Sequence, residues 1–322
     1  MKQTLHSFWG KCSVLLLFAS LVYASSFSQQ LSDGTYWEAG ITVGPSNFLG
    51  DLGGNYGKGT PFLKDNQFRT SKFMGGIYAQ ANPAEWLGIR FAINIGGIEG
   101  DDALTRAKGG IEEARKARNL NFKSNIQEAF IAAEIYPLVF FEYEPTDVYH
   151  KLRPYAVIGI GAFHFNPKGL DPLTGAWVAL QPLHTEGQGF PEYPNRKNYS
   201  LFQMNIPMGF GIKYFISDNT FISFEIIHRK TFCDYIDDVS TNYIDPALFY
   251  AHLPAAQAAI ADRIYNKSPF RGLGSGYGPG DKRGTQTNKD AYYSAGFKLG
   301  FRLFAGTDRR WRNSTRCPVL RF

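Results

Sequence analysis

Strict alternation of apolar and polar positions is the dominant pattern along this chain. From Phe202 to Ile216, the side chains of Phe202, Met204, Ile206, Met208, Phe210, Ile212, Tyr214 and Ile216 fall on one face. Gln203, Asn205, Pro207, Gly209, Gly211 and Lys213 fall on the other. A period of two predicts a strand with one very apolar side. Its length exceeds the five to six residues of an ordinary globular strand and suffices for a tilted membrane-crossing one, which needs about 9–11.

The same reading recurs along the sequence. Tyr36–Gly44 turns Trp37, Ala39, Ile41 and Val43 outward, and Lys72–Asn82 is a weaker run containing glycine. Leu87, Ile89, Phe91, Ile93 and Ile95 oppose Arg90 and Asn94. Ala129, Ile131, Ala133 and Ile135, within Asn125–Tyr136, oppose Glu128 and Glu134. Tyr155–Phe165 reads as a glycine-rich strand, and Ile222, Phe224 and Ile226 oppose Ser223, Glu225 and Arg229. Tyr293, Ala295, Phe297, Leu299, Phe301 and Leu303 oppose Ser294, Lys298 and Arg302, which brings the count to eight.

Connections alternate in length. Asn82–Glu85 and Ser217–Thr220 are tight turn sequences, whereas Pro45–Ser71, Gly100–Leu120, Asn166–Ser200 and Cys233–Asp290 are long. Short turns at one end and long loops at the other are the periplasmic and extracellular ends of an outer-membrane barrel. Leu138–Lys151 is a longer turn on the short side. Ala103–Arg118 and Pro246–Tyr265 have helical composition. The predicted fold is all-β: an eight-stranded antiparallel up-and-down transmembrane β-barrel with long extracellular loops carrying short helices. Ser294-x-Gly296-x-x-Leu299-x-Phe301 fits the polar-x-Gly-x-x-apolar-x-aromatic signal of a barrel's last strand.

The ends of the chain add targeting. Lys2 and Lys11, the apolar run Val14–Tyr23 and the small residues Ala24, Ser25, Ser26 and Ser28 form a secretory signal, with cleavage expected near Gln29. Cys12 precedes the apolar run, so it is not the acylated cysteine of a lipoprotein. The expected organisation is a signal peptide over 1–29, a barrel over 30–305 and a basic periplasmic tail over 306–322. That tail sets Arg309, Arg310, Arg312, Arg316 and Arg321 against Asp308. No other stretch reaches the roughly 18 apolar residues of a membrane helix, and in lipid only a closed barrel satisfies the backbone of strands.

Composition agrees: 16% aromatic, 34 glycines and only 19% charged residues among 322 suit aromatic girdles better than a soluble helical enzyme. The net charge of +6, or +4 without Lys2 and Lys11, is too small to argue for nucleic acid.

Alternation places Glu38, Glu128, Glu134 and Glu225 inside the barrel with Arg90, Lys213, Arg229, Lys298 and Arg302. Eight strands enclose a space that side chains fill, and a lone buried charge is costly, so these groups are expected to pair as a structural network. The alternative is a conducting pore, which the strand count disfavours. No catalytic residue set, metal site or cofactor is expected. The histidines lack H-E-x-x-H spacing, and Gly272–Gly284 lacks the spacing of a phosphate loop and reads as a linker or surface loop. His164 reads as an interfacial residue at a strand end. Asp234, Asp237, Asp238 and Asp245 do not fit EF-hand spacing. They read as a solvated loop, with a calcium site as the alternative. Cys233 and Cys317 are expected on opposite sides of the membrane and unbridged.

Four separated segments resemble a particular group: VGPSNFLGDL at 43–52, GIGAFHFNP at 159–167, LQPLHTEGQG at 180–189 and RKTFCDYIDDVS at 229–240. They are similar to the PorG-like outer-membrane proteins of Bacteroidota. The resemblance implies a non-catalytic barrel of the type IX secretion system. Such a barrel is associated with the periplasmic ring of the PorK lipoprotein and PorN, besides outer-membrane lipids. The candidate contacts are then Leu138–Lys151 and the tail arginines. A surface adhesin or ligand binder acting through the long loops is the second reading. A lipid-modifying enzyme is a third, but it needs a His/Ser/Asp set at the rim, which the sequence does not supply.

Overall fold

The alternating segments pair edge to edge and close on themselves. The computed structural model describes residues 35–54, 66–106, 108–110, 112–141, 151–217, 219–271 and 276–303. Its strands are β1 (Tyr36–Leu49), β2 (Lys72–Ala84), β3 (Leu87–Asp101), β4 (Asn121–Ile135), β5 (Leu152–Phe165), β6 (Lys168–Leu170), β7 (Trp177–Ala179), β8 (Phe202–Phe215), β9 (Thr220–Thr231) and β10 (Ala291–Leu303). Short helices follow within the loops: α1 (Glu112–Arg118), α2 (Ala247–His252) and α3 (Ala255–Ile264).

Eight strands make the barrel, each antiparallel to its neighbours in sequence order, with β6–β7 set aside as a small ribbon in one loop. β1 and β10 close the ring from Trp37↔Leu303 to Leu49↔Ala291. The expected eight-stranded barrel with helix-bearing loops is borne out. The ribbon is an addition.

Three strands run furthest past what the alternation indicated: β1 through Pro45 to Leu49, β3 to Asp101, and β4 from Asn121. The physical reason is visible along β4. Over Glu128–Ile135 the outward side chains Ile131 and Ile135 are exposed and apolar, while inward Glu128 and Glu134 are buried. Further up, the outward positions become Lys123, Asn125 and Gln127, and the inward ones Phe122 and Ile126. The two faces exchange character where the surrounding solvent changes from lipid to water, and a reader of periodicity sees the exchange as a strand end. The Lys72–Glu99 ion pair, 2.5 Å, sits above that boundary.

Consequently the molecule has two cores. Within the apolar band the interior holds the charged residues, packed among Tyr78, Phe130, Tyr155 and Phe221. Above it, Phe48, Met74, Ile98, Phe122, Ile126, Phe163, Phe165 and Tyr292 begin an apolar core, which continues upward into the loops through Leu180, Ile236, Val239, Tyr243, Phe249 and Ile264. The described parts of the long loops form one folded cap on the barrel, not four separate decorations.

Candidate functional site

Two buried polar assemblies are candidates, one in the lumen and one in the cap. In the lumen, β3, β4, β8, β9, β10 and β1 direct all nine charged residues singled out by alternation to the interior. Arg90 lies 2.8 Å from Glu225 and 3.0 Å from Glu134. Lys298 lies 3.0 Å from Glu134 and 3.5 Å from Glu225. Towards the short-turn end, Glu38 meets Lys213 at 2.6 Å and Arg302 at 3.4 Å. Towards the cap, Glu128 meets Arg229 at 3.2 Å and accepts hydrogen bonds from Asn94, Asn205 and Tyr292 at 2.7–3.0 Å.

Rings fill the remaining width. The ammonium of Lys298 lies 4.3 Å from the Tyr78 ring centre, and that of Lys213 lies 4.4 Å from Phe221. Gly300 makes room for this packing: a Cβ there would fall 2.2 Å from Phe221 and 2.3 Å from the Tyr78 hydroxyl. Beside Arg90 and Arg229 the lumen leaves a cavity of about 10 Å³, the space of about one water molecule. The assembly fills the barrel and braces opposite walls.

Sequence reasoning missed the second assembly. Four connections meet around two buried arginines. Arg118, at the end of α1, donates to Asp102 at 2.7 and 2.9 Å. It also donates to the carbonyls of Asp51 at 2.5 Å and Arg283 at 2.6 Å. Arg283 pairs with Glu186 at 2.9 Å and donates to the Asp238 carbonyl at 2.7 Å. Glu186 in turn accepts from the Ser240 and Thr241 amides at 3.0 and 2.9 Å. Each arginine thus ties together connections far apart in sequence.

Around this pair the acidic residues 234, 237 and 238 are buried, and only Asp245 is exposed. The solvated-loop expectation is corrected for the first three, because the loop folds inward and seals the cap. Asp237 accepts from the Leu52 and Val239 amides at 2.9 and 3.0 Å. Asp238 accepts from the Tyr199 hydroxyl at 2.7 Å and from Thr185 at 2.5 Å. Asp290 accepts from the Ile236 amide at 2.8 Å. Arg283 and Gly284, expected within a linker or surface loop, are also buried.

Burial dominates the electrostatics here. It pushes the Asp234 carboxyl up to about 7, against the Ser240 hydroxyl and Lys289. It pushes Asp238 up to about 6, against Arg283. Asp237 and Asp290 are raised well above the ordinary carboxylate value by burial and by neighbouring carboxylates. Burial also pushes the Cys233 thiol up to about 12, so it is protonated and a poor nucleophile. Among the described residues no three His, Cys, Asp or Glu side chains converge as a metal site.

Arg118 is the keystone of the cap. Arg118→Met is expected to leave Asp102 buried beside fewer partners and to destabilise the cap by about 3–5 kcal/mol. Protease digestion should then cut the cap faster while the membrane-embedded strands stay protected.

His164 is exposed between inward-facing Phe163 and Phe165 at the rim. Arg309, Arg310, Arg312, Arg316 and Arg321, together with Cys317 and the leader, lie outside the described residues. Asp51, Glu186, Asp237 and Asp238 of the cap fall within three of the segments singled out in the sequence, at 43–52, 180–189 and 229–240.

A family model described as a domain of unknown function, DUF6089, matches residues 14–172, just under half of the chain. No curated protein matches. The chain is similar to the attachment invasion locus protein Ail of Yersinia pestis, solved with the heparin analogue sucrose octasulfate. Identity is 7%, coverage is 83% of this chain and 99% of that one, and the TM-score is 0.34. It is also similar to Neisserial surface protein A, at 10% identity, 84% and 97% coverage and TM-score 0.34. A major outer membrane protein of Thermus thermophilus matches at 10% identity, 84% and 100% coverage and TM-score 0.35. These TM-scores are low, and the barrel stands on its own strand pairing and apolar exterior. By that fold, the chain is an outer-membrane β-barrel protein.

Proposed function

We propose that this barrel is a non-catalytic anchor that supports the type IX protein secretion machinery of the outer membrane at its periplasmic ring. The observation that carries the reading is the filled interior. A lumen braced by ion pairs and sealed by a folded cap offers no conduit, so function belongs at the ends. The four segments resembling PorG-like proteins point to the secretion role. In this reading, residues 1–29 direct export and are removed, and the cap faces the cell exterior. The short turns and residues 306–322 face the periplasm, where ring proteins of the PorK/PorN type are the partners.

The tail arginines Arg309, Arg310, Arg312, Arg316 and Arg321 are the proposed contacts, suited to an acidic surface by charge alone. Deleting the gene is expected to abolish export of type IX cargo, and an unchanged secretome would sink the reading. Affinity capture of the tagged barrel should recover ring proteins, and removal of residues 306–322 should reduce that recovery.

A second reading has its own support. The described parts of the four long connections pack into one cap, and such an exterior surface suits an adhesin or ligand binder. Intact export together with lost surface binding, on removal of the cap, would favour it.

A further inference from the structure

The connection from β4 to β5 begins as a 3-10 helix, Pro137–Phe141, whose side chains part at the barrel rim. Three residues per turn direct successive side chains to different sides. Val139 packs inward, against the cluster that contains Tyr136, Tyr155 and Phe221. Phe140 and Phe141 stay outside, 63% and 59% exposed. A stopper and two free aromatic rings thus share one short helix.

The helix is also tied to the neighbouring turn. The Tyr136 amide donates to the Trp86 carbonyl at 2.9 Å, and the Phe140 ring lies 6.1 Å from the Trp86 indole, which is itself exposed. Immediately along the strands from this pair, Leu87 is in register with Ile135, and Ile89 and Ile135 are exposed on the lipid-facing side. The apolar exterior therefore continues past the strand ends onto the turn, and Pro137–Phe141 holds no charged residue. A water-facing turn has no use for two uncovered phenyl rings beside an indole. An indole such as Trp86 collects at headgroup level, where an apolar body meets a wet edge, and phenyl rings beside it bury into the boundary with the acyl chains.

We propose that Pro137–Phe141, together with Trp86, is a membrane-interface anchor. It lies against the phospholipid leaflet at the short-turn end, with Val139 locking it to the barrel mouth. The occupant of this surface is lipid, argued from its continuity with the lipid-facing band. The anchor sets the depth of the barrel at that leaflet and holds the start of the longest turn at the membrane surface. It stands whether or not the barrel serves secretion.

Photo-crosslinking tests it. With p-benzoylphenylalanine in place of Phe140, and separately of Phe141, irradiated cells making the full chain should yield barrel whose mass rises by one phospholipid. The barrel must keep the heat-resistant gel migration of the folded state, and the same label in place of Ile131, on the lipid face, calibrates the yield. A protein-sized adduct in place of the lipid one overturns the anchor. So does a lipopolysaccharide adduct, which places the turn at the other leaflet, or a folded barrel with no adduct from either position.

Discussion

Replacing Glu134 by glutamine is expected to lower the unfolding free energy of the barrel in lipid vesicles by about 3–5 kcal/mol, the cost of stranding a buried charge. Glu134 is the hub of the lumen. Its carboxylate faces Arg90 and Lys298 at 3.0 Å each and Lys213 at 3.9 Å, and it accepts the Tyr136 hydroxyl. Glutamine keeps the shape but removes the charge, so among the described residues the carboxylate left to Lys298 is that of Glu225, at 3.5 Å. Solvent cannot compensate, because the cavity nearby holds about one water and the walls face lipid. Urea titration of vesicle-inserted protein, followed by tryptophan fluorescence, measures the loss. Glu134→Gln combined with Lys298→Met removes a charge of each sign and should recover part of it. A single variant as stable as the parent would show that the ion pairs merely occupy the lumen.

The cap is expected to tighten in acid and loosen as pH rises from about 4 to about 7. Burial lifts Asp234 from 3.8 to about 7 and Asp238 from 3.8 to about 6, and raises Asp237 and Asp290 well above the ordinary carboxylate value. Between the ordinary value and the raised one, the folded cap holds protons that the unfolded chain has released. Each upward step in that window therefore takes stability away. The geometry agrees. Among the described residues none donates a hydrogen bond to Oδ1 of Asp234 or to Oδ1 of Asp290. A Cβ on Gly50 would lie 2.3 Å from that Asp290 oxygen, which therefore abuts the chain next to Asp51. Asp51 is itself raised by burial and by Glu186, against the Thr285 amide, Arg118 and Lys282.

Hydrogen exchange checks this on the amides of Leu52, Ile236 and Val239, which donate to Asp237 and Asp290. Corrected for intrinsic rate, protection should be greater at pH 5 than at pH 7.5, and Asp290→Asn should flatten the difference. Protection that rises with pH would contradict the buried-acid account.

The two assemblies were not equally legible in the sequence. Lumen residues such as Glu128 and Glu134 announce themselves because their strand is sampled every two residues and lipid enforces apolar neighbours on the other face. Arg118 and Arg283 carry no such mark. One closes a seven-residue helix and the other lies in a glycine-rich stretch. Their partners Asp102 and Glu186 stand 16 and 97 residues away. Nothing local says that those segments meet, and buried acids in a loop look the same as solvated ones until the loop is folded.

What the chain determines by itself is the barrel: strand count, faces, the direction of the lumen charges and the alternation of short and long connections. All of these follow from a period of two read against lipid. Tertiary structure decides the rest. Where lipid gives way to water the rule of burial inverts, so Phe122 and Ile126 turn inward on the same strand that buries Glu128 below them. That inversion extends the strands, gathers the loops over one apolar core and buries Asp237 and Asp238, which a reading of the sequence leaves in solvent. The cause is the change of solvent along a single strand, a property of the molecule's place in the membrane as much as of its residues.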